Sequence, residues 1–463
     1  MSAFVANQRH GGSFGTGRHR FILIPRVDGH SAGEMALATG SATAARQEIR
    51  RAFNSVRDTA EEQFRRLAIA DVYKLRAGGM LQSRDPVEGC FRRLDGLAAY
   101  TVNVAKPALR STVRDAIEEN VNTDGVRFDV VEDFALGMPL PLSIDDADDD
   151  VGNPRQDGRW PEQCGVAAAH AMGVRGDGVL FGMLDTGADA DHHELCGRPI
   201  MFRYLPLHFD HTPRDVRAFD VGGHGTHVAA IAAGCQVGVA PGARLHVGAV
   251  IESETMLTSA SRVMWGLNWL VRLFDEQDNR PKPRVINLSL GFDHDLVRQD
   301  TKRGIRSELK VRMDALRALL DGAAVLGNAH VFAAIGNSGA GKAGYPALFD
   351  SVHGIGSVRF DGSVCDFSGS HGNGKPNFFG YGDGIRSAIA RDYDGRSQYR
   401  NLSGTSMASP YAAAIASLYL SVNPRLSAQA LSDVLTESGL PVAGQPGRLV
   451  RFDPAIAERV RHA

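Results

Sequence analysis

Beyond residue 160 the sequence alternates short apolar runs with Ala-rich stretches of helical character, and no other feature restricts the fold as much. VLFGML (179–184), RLHVGAV (244–250), VINLSL (285–290), VFAAIG (331–336) and SVHGIGSV (351–358) are nearly continuous apolar segments of strand length. A strand that is apolar on both faces must be covered on both faces, which is the situation of a parallel sheet wound between helices. Residues 160–463 are therefore expected to form an α/β domain, a parallel sheet with helices on both sides.

The first third reads differently. Residues 1–20 are Gly-rich and basic and are expected to be disordered. Phe21–Val27 (FILIPRV) reads as a strand. Ile49, Phe53, Val56, Ala60, Phe64 and Leu67 then recur at three- and four-residue steps, the spacing of one helix face. Val87–Leu94 and Ala98–Val104 flank Asp95-Gly96, a dipeptide suited to a tight hairpin. Pro107 opens a second amphipathic helix carrying Leu109, Val113, Ala116 and Ile117, and Val126–Phe134 returns as a strand. The order β-α-β-β-α-β predicts a small α+β, ferredoxin-like domain over 21–137. Met138–Arg159 combines spaced prolines with Asp145, Asp146, Asp148, Asp149 and Asp150, and reads as a linker rather than a calcium loop, since the Gly and distal Glu of an EF-hand are missing.

Composition narrows the partners. Lys plus Arg (51) nearly balance Asp plus Glu (53), so no global field favours nucleic acid or an anionic membrane. No apolar stretch reaches signal-peptide or membrane-spanning length, which makes a cytoplasmic chain the expectation. The five cysteines, Cys90, Cys164, Cys196, Cys235 and Cys365, show no metal-ligand spacing and are expected to be reduced and mostly buried. The spaced glycines Gly176, Gly178 and Gly182 run into a strand rather than out of one, against a dinucleotide fingerprint.

Three segments carry candidate chemistry. Asp185 follows an apolar strand and precedes Thr186-Gly187, where its carboxylate would emerge at the C-terminal edge of the sheet; acidic residues also end strands as simple turn formers. His224, in GGHGTH, stands at the entry to an Ala-rich buried helix, where a lone histidine is usually structural. Ser406, in GTSMASP, also opens a buried helix, and an N-cap serine would look the same. Peptide hydrolysis by serine needs such a nucleophile, a base, a carboxylate that orients the base, and donors for the oxyanion.

Taken together, DTGADADHHEL, GGHGTHVAA, VINLSLG, AAIGNSG and LSGTSMASP resemble, in order, the signature segments of the subtilisin-like serine proteases (peptidase S8). The resemblance implies that Asp185 orients the imidazole, His224 acts as general base and acid, Ser406 is the nucleophile, and Asn337 assists the oxyanion. It further implies that Ser289-Leu290-Gly291 binds substrate backbone and that Gly344 floors a pocket for a bulky apolar P1 residue. The substrate would be a polypeptide, with no cofactor required. Glu194 falls where many members place a calcium-binding acid, which leaves calcium open. His227 with His224 suggests a zinc pair only weakly, because no third ligand stands at a recognisable spacing. A catalytically silent homologue that binds peptides or serves as a scaffold is the alternative.

By the same resemblance, residues 21–137 are similar to a subtilisin propeptide (inhibitor I9-like), an intramolecular inhibitor whose tail enters the active site. Three departures stand out. Pro139 follows Met138, the usual self-cleavage point, and removes the amide N–H there; processing would move to Leu142-Ser143 or fall to another protease. The segment between Gly291 and Val331 is long and holds a helix with Leu309, Met313, Leu316 and Leu320 on one side, either a regulator-binding insertion or a lengthened connection. FGYGDG (379–384) replaces the family's usual turn ahead of the nucleophile.

Overall fold

The computed structural model describes residues 19–30, 34–35, 48, 91–94, 97, 99–104, 115, 122, 125–137, 142–143, 160–206, 214–252, 257–293, 306–326 and 328–462. Four strands near the N-terminus, β1 (His19–Val27), β2 (Phe91–Leu94), β3 (Ala99–Val104) and β4 (Val126–Glu132), form one antiparallel sheet in the order β2-β3-β1-β4. This is the strand order expected of a split βαβ unit. Apart from Glu48 and Asp115, both helical, the two predicted helices lie outside the described residues, as do the Asp95-Gly96 turn and most of the predicted linker.

Two short strands follow, β5 (Ala135–Gly137) and β6 (Leu142–Ser143). The large sheet then takes in β7 (Leu180–Asp185), β8 (Met201–Tyr204), β9 (Arg214–Asp215), β10 (Arg244–Ala249), β12 (Arg284–Leu288), β14 (His330–Ala334), β16 (Val352–Val358), β17 (Phe378–Tyr381), β20 (Leu440–Pro441) and β21 (Arg448–Leu449). Its order is β20-β21-β17-β16-β14-β12-β7-β10-β8-β9, parallel throughout except at the two edge pairs. The remaining strands, β11 (Leu257–Ser259), β13 (Phe292–Asp293), β15 (Gly344–Tyr345), β18 (Ile385–Ile389) and β19 (Gln398–Ser403), make small ladders around it.

Seven helices among the described residues cover or flank this sheet: α1 (Val166–Ala171), α2 (His224–Ala233), α3 (Ala260–Phe274), α4 (Arg306–Asp321), α5 (Thr405–Val422), α6 (Ala428–Ser438) and α7 (Pro454–Arg461). None is long and apolar enough to cross a membrane. Every residue of α2 is buried, and so are Thr405 to Leu420 of α5, which explains why their sequences are apolar all round instead of striped. The fold class is the α/β arrangement that the alternating pattern implied.

One core cluster joins the small sheet to the large one. Ile22, Ile24, Leu94, Ala99 and Val131 pack in the same buried cluster as Leu267, Leu270, Leu316 and Leu319 of α3 and α4. The long segment after Gly291 is thus neither a free insertion nor a bare connection: its helix α4 also brings Arg312 to within 3.8 Å of Glu132 and over the Phe134 ring. At the head of α3, Asp133 accepts from Ser261 N (2.9 Å) and Ser261 Oγ (2.5 Å), satisfying an N–H that the first helical turn leaves unbonded. Arg20, 1% exposed, bonds Ser261, lies 3.7 Å from Asp133 and stacks 4.0 Å from the Trp265 ring.

Candidate active site

In a parallel sheet the loops that leave the C-terminal ends of the strands share one edge, and the chemistry gathers there. Asp185 is the last residue of β7, and β7 is the strand from which the chain order departs in both directions, to β10 on one side and β12 on the other. His224 begins α2, Ser289 follows β12, Asn337 lies three residues past β14, and Ser406 is the second residue of α5. The structure brings all of these to the same edge.

Asp185 Oδ1 accepts from His224 Nδ1 at 2.8 Å and from Thr186 N at 2.7 Å. A ring proton at Nδ1 leaves Nε2 as the acceptor. The turn after Asp185 and the start of α2 are tied by a clamp that the sequence did not reveal. Asp220 accepts from Thr186 Oγ1 (2.7 Å), Thr226 Oγ1 (2.6 Å) and Thr226 N (2.7 Å), while Gly225 N donates to Thr186 Oγ1 (2.8 Å). A Cβ on Gly225 would stand 2.1 Å from the Gly187 carbonyl, so the helix can approach this closely only with glycine there. No motif-level signal marks Asp220.

Pro410 lies inside α5 and has no N–H for the carbonyl four residues earlier, which is that of Ser406. Ser289 Oγ donates to that carbonyl at 3.0 Å, and Asn287 joins the network by donating to Ser289 Oγ (3.0 Å) and accepting from Ser409 Oγ (2.7 Å). The Ser289 side chain therefore has a structural job beside any contact its backbone makes. Leu290 and Gly291 are buried next to it. The FGYGDG segment holds the same turn: Gly404 N donates to Gly382 O (2.7 Å) and Ser403 Oγ to Asp383 Oδ1 (2.8 Å).

Asn337 Oδ1 accepts from Thr405 N and from Thr405 Oγ1, both at 2.9 Å. Those donors fix which end of the amide is oxygen, and the Nδ2 end lies toward Gly404, 3.1 Å from where a Cβ there would stand. Gly344 sits in β15, paired with Asp293 of β13 and bonded from its N to Ile335 O (2.8 Å). The segment after it is anchored by Lys375, whose Nζ donates to Phe349 O, Val352 O and Asn377 Oδ1 at 2.6 to 2.8 Å.

Ser406 Oγ and His224 Nε2 are both buried and have no hydrogen-bond partner, and Asp185 Oδ2 is a third such atom. The end of the N-terminal segment adds two short strand pairs beside this edge. β5 runs antiparallel to β11, Ala135 opposite Ser259 and Gly137 opposite Leu257; β6 runs antiparallel to β19, Leu142 opposite Ser403. That β11 pairs with β5 was not readable from its sequence, LTS.

The geometry at His227 speaks against the zinc pair. Its Nε2 is 3.1 Å from both Ile385 O and Arg400 O, and complete burial pushes the imidazole down to about 3. Nor do the residues at Glu194 fit calcium. Its Oε2 accepts from Gln236 N (2.9 Å) and Val237 N (3.3 Å) and its Oε1 from Tyr399 Oη (2.8 Å), so protein donors already use the carboxylate. Among the described residues no cluster of three His, Cys, Asp or Glu side chains has a metal-binding arrangement.

Residues 176–451 match the model of the Subtilase family, more than half of the chain. The chain belongs to the subtilase family. This subtilase is 43% identical over 293 residues to the subtilisin-like protease PopC of Myxococcus xanthus, an alignment that covers 62% of this chain and 61% of PopC. It is 29% identical over 253 residues to an intracellular serine protease of Paenibacillus polymyxa, covering 52% of this chain and 66% of that one. Among solved structures, a cold adapted subtilisin-like serine proteinase matches with a TM-score of 0.45 and 29% identity over 60% of this chain and 88% of that chain. The chain thus spans about three fifths of PopC's length.

Proposed function

We propose that this subtilase is a serine endopeptidase, made as a zymogen whose own N-terminal segment occupies the active site. The observation that carries the reading is the His224 Nδ1 to Asp185 Oδ1 bond of 2.8 Å, with the two atoms a proton transfer would join, His224 Nε2 and Ser406 Oγ, both buried and unbonded.

In the reaction, Ser406 Oγ attacks the peptide carbonyl carbon while His224 Nε2 takes its proton. Asp185 holds the ring with Nδ1–H toward it and stabilises the imidazolium. The carbonyl oxygen becomes an oxyanion that accepts from Asn337 Nδ2 and from the Ser406 N–H, which lies in the first turn of α5, where no intrahelical carbonyl is available. Collapse breaks the C–N bond as Nε2 returns the proton to the leaving amine; water then repeats the sequence on the acyl-enzyme. Backbone around Ser289-Leu290-Gly291 and β11 would bind substrate, with Gly344 at the base of the P1 pocket. No cofactor takes part in these steps.

Inhibition by the N-terminal segment draws support from β5 and β6, which pair on either side of residues 138–141, with β6 against the strand that ends three residues before Ser406. Antiparallel addition to an enzyme strand is how extended peptides bind. The Met138-Pro139 bond would resist self-cleavage, leaving release to a cut at Leu142-Ser143 or to another protease. One relative is named an intracellular serine protease, and we place this chain's action in the cytoplasm on that likeness.

Casein turnover by the purified chain, with N-terminal sequencing of its fragments, tests both parts. Activity is expected only after cleavage C-terminal to Pro139, and Ser406→Ala should neither digest casein nor process itself. Equal turnover by Ser406→Ala would refute the assignment, no turnover by the processed wild type would favour a silent peptide-binding homologue, and self-cleavage between Met138 and Pro139 would refute the displaced processing.

A further inference from the structure

Cysteine burial splits in two. Cys164 and Cys365 are buried, as expected of small apolar side chains, whereas Cys196 and Cys235 are exposed. The exposed pair comes from separate segments, Cys196 from the turn that follows Asp185 and Cys235 from just past Gly234, the C-cap of the helix that starts at His224.

These segments are bonded together around the two thiols. Cys235 N donates to Glu194 O at 3.0 Å, two residues from Cys196, and Gln236 N and Val237 N donate to the Glu194 carboxylate. Both sulfurs donate to one acceptor, the His193 carbonyl, each at 3.4 Å. Neither sulfur can then be further from the other than twice that distance.

We propose that Cys196 and Cys235 are a modification site, a dithiol that small-molecule disulfides convert into an intramolecular cross-link between the Asp185 turn and the far end of the His224 helix. The Cys196 thiolate attacks one sulfur of a disulfide RSSR, whose S–S bond breaks and releases RS⁻. The Cys235 thiolate then attacks the Cys196 sulfur of the mixed disulfide and expels the second RS⁻. The protein loses two electrons and two protons, and RSSR gains them as two RSH. Cys235 is held up by partial burial and by the neighbouring Glu194 carboxylate, so the closing step quickens as pH rises.

The loop closed in this way contains His224. Closing it restricts the unfolded chain, and the cross-linked protein should melt higher by about 5 °C. The dithiol would be open in a reducing medium and closed in an oxidising one. This inference is independent of the proposed catalytic roles, because its readouts are covalent state and melting temperature.

The test is incubation of the folded full-length chain with oxidised or reduced glutathione, alkylation of remaining thiols, and non-reducing peptide mapping with a parallel thermal melt. The expected result is a peptide pair joined through Cys196 and Cys235, a rise in Tm of about 5 °C reversed by dithiothreitol, and no shift in Cys196→Ser or Cys235→Ser. In each single variant the remaining thiol should carry glutathione instead. Glutathione adducts on both wild-type cysteines without the joined peptide would overturn the proposal. So would a cross-link that leaves Tm unchanged or lower.

Discussion

The C-terminal edge of the large sheet and the four-stranded N-terminal sheet are held in different ways. At the edge, each candidate residue is fixed by its neighbours: Asp185 through Thr186, His224 through the Asp220 clamp, Ser406 through Ser289, Asn337 through Thr405. The small sheet leans on α3 and α4 through an apolar face and the buried Arg20-Asp133-Ser261 group, and the chain beyond it adds two short strand pairs, to β11 and β19. The first arrangement suits a constellation that must stay within hydrogen-bond reach of its geometry. The second suits the proposed role of a part that comes away on activation.

Substitutions can separate the two. Asp185→Asn should leave the fold intact and lower kcat on casein by about four orders of magnitude, as loss of the orienting carboxylate does in other triads. Asn337→Ala should cost about two to three orders of magnitude in kcat with little change in KM, the loss known for this asparagine in subtilisin. Asp133→Ala should leave kcat of the processed enzyme unchanged. It breaks a buried pair and a helix cap, and the lag before casein activity appears should shorten by about tenfold or more.

The smallest effect is on stability in acid. His227 and His353 are pushed down to about 3 and His246 and His330 to about 4, in each case chiefly by burial. The unfolded chain takes up protons as pH falls through about 6.5, while these folded imidazoles refuse them. Their contribution to stability is therefore complete above that pH and shrinks toward pH 4. Thermal melts should show Tm falling steadily over that interval, since His246, His330 and His353 lie in the large sheet and His227 in α2 packed against it; a Tm that is flat from pH 7 to pH 4 would contradict the burial argument.

Much of the edge was legible because subtilase chemistry is carried by short segments, and the apolar runs of β7, β10, β12, β14 and β16 declare a doubly covered sheet. The strands of the small sheet were legible too, though the chain bends at Asp133-Phe134 so that Ala135–Gly137 pairs separately. What stayed hidden depends on tertiary approach. Asp220 reads as one more loop carboxylate. Ser289 reads as a substrate contact, although Pro410, four residues after Ser406, does announce an orphaned carbonyl. The exposure of Cys196 and Cys235 cannot be read from spacing, since it depends on where two distant segments meet.

The central claim is that Ser406 is a nucleophile covered by the chain's own N-terminal segment. Labelling with a fluorophosphonate, located by mass spectrometry before and after removal of that segment, tests it most directly. The account predicts one adduct, on Ser406, in the processed chain, little in the unprocessed chain, and none in the processed chain carrying His224→Ala. Equal labelling of Ser406 with the segment in place would contradict the covering, and labelling elsewhere with Ser406 untouched would contradict the nucleophile.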